Sequence, residues 1–128
     1  MFDDPAGPLE CYEWGKYTIH GNAYQWDIMV YGMGGGLVLV EKWREFRDTP
    51  GVKHLVIPEM LHKVSVLMPD VVIIGIGASG AARVRDDVKD FLGNGVELLI
   101  VRTPEACKIF NELHNKGKSV VAYLHGTC

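Results

Sequence analysis

From about residue 70 to the C-terminus, one pattern recurs in the chain: a short apolar run, a glycine or proline stop, then apolar residues at helical spacing. Val71-Val72-Ile73-Ile74 is continuously apolar, as a parallel strand covered on both faces must be. The turn Gly75-Ile76-Gly77-Ala78-Ser79-Gly80 follows. Val84, Val88, Phe91 and Leu92 then form one helical stripe, with Arg83, Arg85, Asp86 and Lys89 on the outer side. Gly93-Asn94-Gly95 supplies residues that tolerate a left-handed cap. Leu98 to Val101 reads as a second strand. Thr103 suits an N-cap and Pro104 the first helical position, and Ala106, Ile109, Phe110 and Leu113 make the next stripe. Gly117 closes that helix, and Val120 to Leu124 is the last strand. The pattern predicts a compact βαβαβ unit.

The N-terminal third reads differently. Residues 1–10 are polar with two prolines, and suggest a lead-in segment. Tyr12, Trp14, Tyr17 and Ile19 suggest one strand over 12–19. Tyr24, Trp26, Ile28 and Val30 alternate with Gln25, Asp27 and Met29, the period of a half-buried strand. Gly32-Met33-Gly34-Gly35-Gly36 turns the chain, and Leu37 to Trp43 returns it as a hairpin. Residues 43–53 read as a surface loop, and Pro58 opens a short helix over about 58–67, ended by Pro69. The expected fold is α/β and three-layered: a central mixed sheet containing the βαβαβ unit, with an N-terminal antiparallel β-layer. At 128 residues it is one domain.

Charge and composition exclude several roles. The formal net charge is −3 and no Lys/Arg run occurs, so neither nucleic acid nor an anionic membrane is an expected partner. The apolar runs are strand-sized, far short of the ~20 residues of a membrane helix. The N-terminus lacks the basic and apolar regions of a signal peptide. Cys11, Cys107 and Cys128 are odd in number and not at CxxC spacing, which suits free thiols and a cytoplasmic location.

Gly75-x-Gly77-x-x-Gly80 has the letters of a dinucleotide turn, with a strand before it and a helix expected after it. Glycines let backbone N–H groups approach an anion, and a helix N-terminus favours negative charge. Ser79 adds a hydroxyl, and Arg83, Arg102 and Thr103 are further anion contacts. One domain is too small for a complete dinucleotide fold. Arg102 stands where a ribose-binding acid is expected, so a phosphorylated ligand such as NADP fits better than NAD. The competing reading is purely structural: the glycines close a tight strand–helix turn.

Other residues carry weaker signals. His125, Thr127 and Cys128 lie just beyond the last strand, at the sheet end where ligands collect. A thiol near an imidazole makes an activated nucleophile; the alternative is a surface histidine on a C-terminal tail. Trp43 and Arg44 are residue types favoured at interfaces, and Trp43 is expected to be exposed. His54, Glu59 and His62 match no common metal spacing, so no metal is expected. Asp86-Asp87 is explained by a helix dipole.

Ile73-Ile74-Gly75-Ile76-Gly77-Ala78-Ser79-Gly80, Arg83-Val84, Arg102-Thr103-Pro104-Glu105-Ala106, Phe110-Asn111-Glu112-Leu113 and Leu124-His125-Gly126-Thr127-Cys128 occur in this order. Upstream lie Glu41-Lys42-Trp43-Arg44 and His54-Leu55-Val56-Ile57-Pro58-Glu59. The series, over roughly residues 14–128, resembles the adipogenesis-associated Mth-domain-containing protein family, of which a mitochondrial respiratory complex I assembly factor is a more distant relative. The resemblance implies a three-layer α/β fold, and it implies no known reaction. It favours a binding or assembly protein without catalytic activity, acting on a protein partner or as a homodimer. The alternative is a small-molecule enzyme or sensor using the glycine turn, through Gly75, Gly77, Ser79, Gly80, Arg83, Arg102, Thr103 and His125.

Overall fold

A computed structural model describes residues 2–33, 36–42, 55–56 and 58–127. The central sheet has five strands in the order β10-β8-β11-β5-β6. Three of them, β8 (Val71–Gly75), β10 (Glu97–Val101) and β11 (Val120–Leu124), run parallel. The hairpin of β5 (Ile28–Gly32) and β6 (Val38–Lys42) adds antiparallel to β11, with Ile28 opposite Leu124. A four-stranded antiparallel sheet holds β1 (Phe2–Asp3), β2 (Leu9–Glu13), β3 (Lys16–Ile19) and β4 (Asn22–Gln25).

The period of two along each central strand divides the interior. Ile28, Val30, Val71, Ile73, Val120, Ala122 and Leu124 face one core, shared with Leu9, Tyr12, Tyr17 and Ile19 of the N-terminal sheet and with Ala106, Cys107 and Phe110 of α3 (Thr103–Asn115). Met29, Tyr31, Val72, Ile74, Val121 and Tyr123 face the other core. Short elements cover this second core: a 3-10 turn at Pro58–Leu61, α1 (Val64–Leu67) and α2 (Asp87–Leu92). The predicted three-layer α/β arrangement is therefore present.

Several local expectations are corrected. Residues 2–13 are not a lead-in, because Phe2 pairs with Tyr12 in the antiparallel sheet. The expected strand over 12–19 is two strands, hinged at Gly15 with φ 71°. The alternating run from Tyr24 to Val30 breaks at Trp26, φ 70°, and its halves join different sheets. Alternation reports half-burial within a strand, and both halves satisfy it separately. The expected helix over 58–67 splits into the 3-10 turn and the single turn of α1. Val84 is not helical either. Arg83–Val84 is β9, pairing parallel with β7 (Leu55–Val56), and the Arg85 N–H donates to the Val56 carbonyl. The loop at 43–53, with Trp43, Arg44 and His54, lies outside the described residues.

Candidate functional site

The glycine turn begins at the end of β8. A Cβ on Gly75 would stand 2.9 Å from Thr103 Oγ1 and 3.2 Å from Ala106 Cβ, so glycine lets α3 pack directly on the strand. Gly77 and Gly80 take φ of 105° and 78°, values that side chains with a Cβ rarely adopt. The turn's donors face inward. The Ile76 N–H donates to the Val101 carbonyl, Gly77 to Thr103 Oγ1, Ala78 to the Thr127 carbonyl, Gly80 to the Gly77 carbonyl and Ala82 to the Ile76 carbonyl. An anion cradle needs such N–H groups pointing at the ligand. In addition, β9 and not a helix follows the turn, and α2, six residues long, starts only at Asp87. The helix-dipole premise of the anion reading is thus absent. Ser79, Arg83 and Arg102 are exposed beside the turn.

Thr103 is fully buried and its hydroxyl makes no helix cap. It donates to the His125 carbonyl at 2.7 Å and accepts from the Gly77 N–H at 2.9 Å. One hydroxyl thereby ties the turn after β8, the start of α3 and the end of β11.

His125 is neither a surface residue nor a wall of an open crevice. It is 5% exposed, and its Nδ1–H donates to Asp27 Oδ1 at 3.0 Å. Asp27, itself 8% exposed, also accepts from the Gly126 N–H at 3.0 Å and, on Oδ2, from the Tyr123 hydroxyl at 3.1 Å. Burial pushes the Asp27 carboxyl up, but the His125 bond and charge, with the Gly126 and Tyr123 donors, hold it below the ordinary carboxylate value. Asp27 stays ionised and holds the Nδ1 side of the imidazole, so that Nε2 faces Thr127 Oγ1 at 3.4 Å. Asp27 escapes a sequence reading because its alternating run marks it only as a polar strand position. Its place at the β4–β5 crossover brings it to the end of β11 from 98 residues away, 125 − 27.

The surrounding backbone locks this corner. The Gly126 carbonyl accepts from the Gly15 N–H at 2.7 Å and from the Tyr12 hydroxyl at 2.8 Å. The Trp26 N–H donates to the Gly15 carbonyl at 2.8 Å. A Cβ on Gly126 would overlap the Trp26 carbonyl oxygen. Tyr12 and Tyr17 stack with centroids 5.0 Å apart, yet the fully buried Tyr17 hydroxyl has no hydrogen-bond partner among the described residues. Burial raises the Cys107 thiol, which keeps it protonated and inert. Cys128 lies outside the described residues. Among the described residues no group of His, Cys, Asp and Glu could hold a metal ion.

A second region sits on the other core. Leu39, Val66 and Met68 are 53%, 82% and 77% exposed. Leu39 lines a cleft of about 390 Å³ together with Tyr31, Met33, Val40, Glu41, Lys63 and Leu67. A Lys63–Glu41 ion pair spans its polar side. Met68 is held out by its own left-handed backbone, φ 48°. No helix among the described residues is long and apolar enough to cross a membrane.

A family described as "Protein of unknown function (DUF498/DUF598)" matches residues 9–125. A conserved hypothetical protein of Pyrococcus horikoshii is 28% identical with a TM-score of 0.76, covering 94% of this chain and 98% of its own. A Bordetella pertussis protein described as a Mth938-like domain is 18% identical with a TM-score of 0.68, covering 98% of this chain and 91% of its own. A Bartonella henselae protein described as an outer membrane protein is 18% identical with a TM-score of 0.71, covering 94% and 95%. The last two share the fold alone.

Proposed function

For a chain that belongs to the DUF498/DUF598 family of Mth938-like domains, we propose a role as a binding or assembly protein that docks a protein partner on the β6–α1 surface. One observation carries this reading: Leu39 and Leu67 stay exposed in one largely apolar cleft, and Val66 and Met68 stay exposed at the same short helix and its cap, while the core residues of the opposite face are buried. Contiguous exposed apolar area marks interaction surfaces. The strand β6 ends the sheet order, and an edge strand accepts a partner strand through its backbone. A protein ligand or a second copy of the chain both fit this description. Assignment to the adipogenesis-associated branch of the family belongs to the same proposal, as does a cytoplasmic location, which cell fractionation tests.

The test is a double variant, Leu39→Lys with Leu67→Lys. Captured partner, or the dimer fraction in light scattering, should fall by at least about tenfold, the equivalent of 1.4 kcal/mol. Unchanged capture and unchanged mass would sink the proposal. A second reading rests on the exposed Ser79, Arg83 and Arg102 beside the glycine turn: a phosphorylated ligand held by side chains, with NADP as the nucleotide variant. Thermal shift with phosphate and NADP decides it, since a ligand at ~100 times its Kd stabilises by about 2.7 kcal/mol. The absence of any shift excludes that reading.

A further inference from the structure

We propose that Asp27, His125 and Thr127 form an acid–base–nucleophile relay that accepts a small acyl group from an activated ester or thioester onto the Thr127 hydroxyl. The three groups stand in series. Asp27 Oδ1 lies 3.0 Å from His125 Nδ1, and His125 Nε2 lies 3.4 Å from Thr127 Oγ1. A carboxylate bonded to Nδ1 sets the imidazole tautomer and leaves Nε2 as the base for a hydroxyl, the arrangement that activates an oxygen nucleophile. The carboxylate is itself oriented by the Gly126 N–H and the Tyr123 hydroxyl. The His125 backbone is held at both its polar groups: its N–H donates to the Gly75 carbonyl at 2.9 Å, and its carbonyl accepts from Thr103 Oγ1.

Burial grades along the series in the sense that such chemistry needs. Asp27 and His125 are buried, whereas Thr127 is half-buried and reaches the surface. The Thr127 carbonyl is tied by the Ala78 N–H at 3.2 Å, so the hydroxyl is presented beside the glycine turn, at the carboxyl ends of β8 and β11. Ligands of open α/β sheets collect at that end.

The step balances without a further reagent. The Thr127 O–H bond breaks, its proton passes to His125 Nε2, and Oγ1 bonds the acyl carbon. The carbon–oxygen or carbon–sulfur bond to the leaving group breaks, and the leaving alcohol or thiol takes the proton from Nε2. Water then gives its proton to the same nitrogen as its oxygen bonds the acyl carbon; the bond from that carbon to Oγ1 breaks, Oγ1 takes the proton back from Nε2, and the acid is released. This capacity shares no residue with the β6–α1 surface and stands or falls separately from it.

The full chain is incubated with p-nitrophenyl acetate. Nitrophenolate release and the mass of one acetyl group on the peptide carrying Thr127 are followed together. The Thr127→Val variant keeps the side-chain shape and should lose labelling and at least about tenfold of the rate, while Thr127→Ser should retain both. Asp27 acts as a positioning residue. Asp27→Asn should lower kcat by about 10²-fold or more with KM unchanged, as loss of the correct tautomer does elsewhere. Cys128→Ser should leave the labelling in place. Acetyl found on Cys128 instead of Thr127, or full activity in Thr127→Val, overturns the proposal. So does a wild-type rate no faster than imidazole in buffer.

Discussion

The two faces of the central sheet are built from alternate residues of the same strands, yet they are finished differently. One face meets α3 and the four-stranded sheet, and its core residues are almost entirely covered. Polar groups on this side are spent internally. Asn111 accepts from the Leu9 N–H at 2.9 Å and donates to the Leu9 carbonyl at 2.7 Å and to Asp4 Oδ2 at 3.0 Å. Among the described residues, the other face meets the short β7–β9 pair, the 3-10 turn, α1 and α2, and leaves Val66, Met68 and Phe91 in solvent. Long elements with hydrogen-bonded side chains close a face; single-turn helices cannot, because they cover too little area. The closed face holds the fold together, and the open one leaves apolar side chains exposed.

The comparison predicts large effects on the closed face. Gly126→Val forces a side chain into the Trp26 carbonyl and should cost about 4 kcal/mol or more, or abolish folding, by urea unfolding. A variant as stable as the wild type would show that this corner is soft. Asn111→Ala leaves the Leu9 amide and carbonyl unpaired in the interior, a loss of about 2–3 kcal/mol in the same assay.

Acid should act through Asp27. Its folded-state value lies below that of the unfolded chain, about 3.9. The stabilisation is therefore complete above about pH 4 and fades as the pH falls through the folded value. Unfolding midpoints across that range should drop on the acid side, and Asp27→Asn should flatten that drop. An unchanged acid limb in the variant would assign the loss to another carboxylate.

The stacked tyrosines give a smaller and sharper contrast. Tyr12→Phe removes the bond to the Gly126 carbonyl and should cost about 1 kcal/mol. Tyr17→Phe removes a buried hydroxyl with no partner among the described residues and should be neutral or stabilising. Equal losses in both would mean that Tyr17 is bonded in solution. Smallest of all, Leu39→Lys on the open face should change stability by less than about 0.5 kcal/mol while weakening partner capture.

The sequence alone determined the parallel strands of the central sheet. Runs such as Val71 to Ile74 and Val120 to Leu124 are apolar at every position, and that is legible without coordinates because a strand buried on both faces has no polar alternative. Gly93 and Gly117, both at positive φ, end α2 and α3 as their residue type implied. Glycine spacing at 75–80 was equally visible but carried two meanings, an anion cradle or a tight packing turn. The tertiary structure adds only that the Gly77 and Ala78 N–H groups have internal partners, Thr103 and Thr127, which are distant in sequence and so not legible from it. The same holds for the Asp27–His125 pair and for the break at Trp26. Local periodicity reports which face of an element is buried. It does not report which element covers that face, and the hydrogen-bond partners of a buried polar group are set by that covering element.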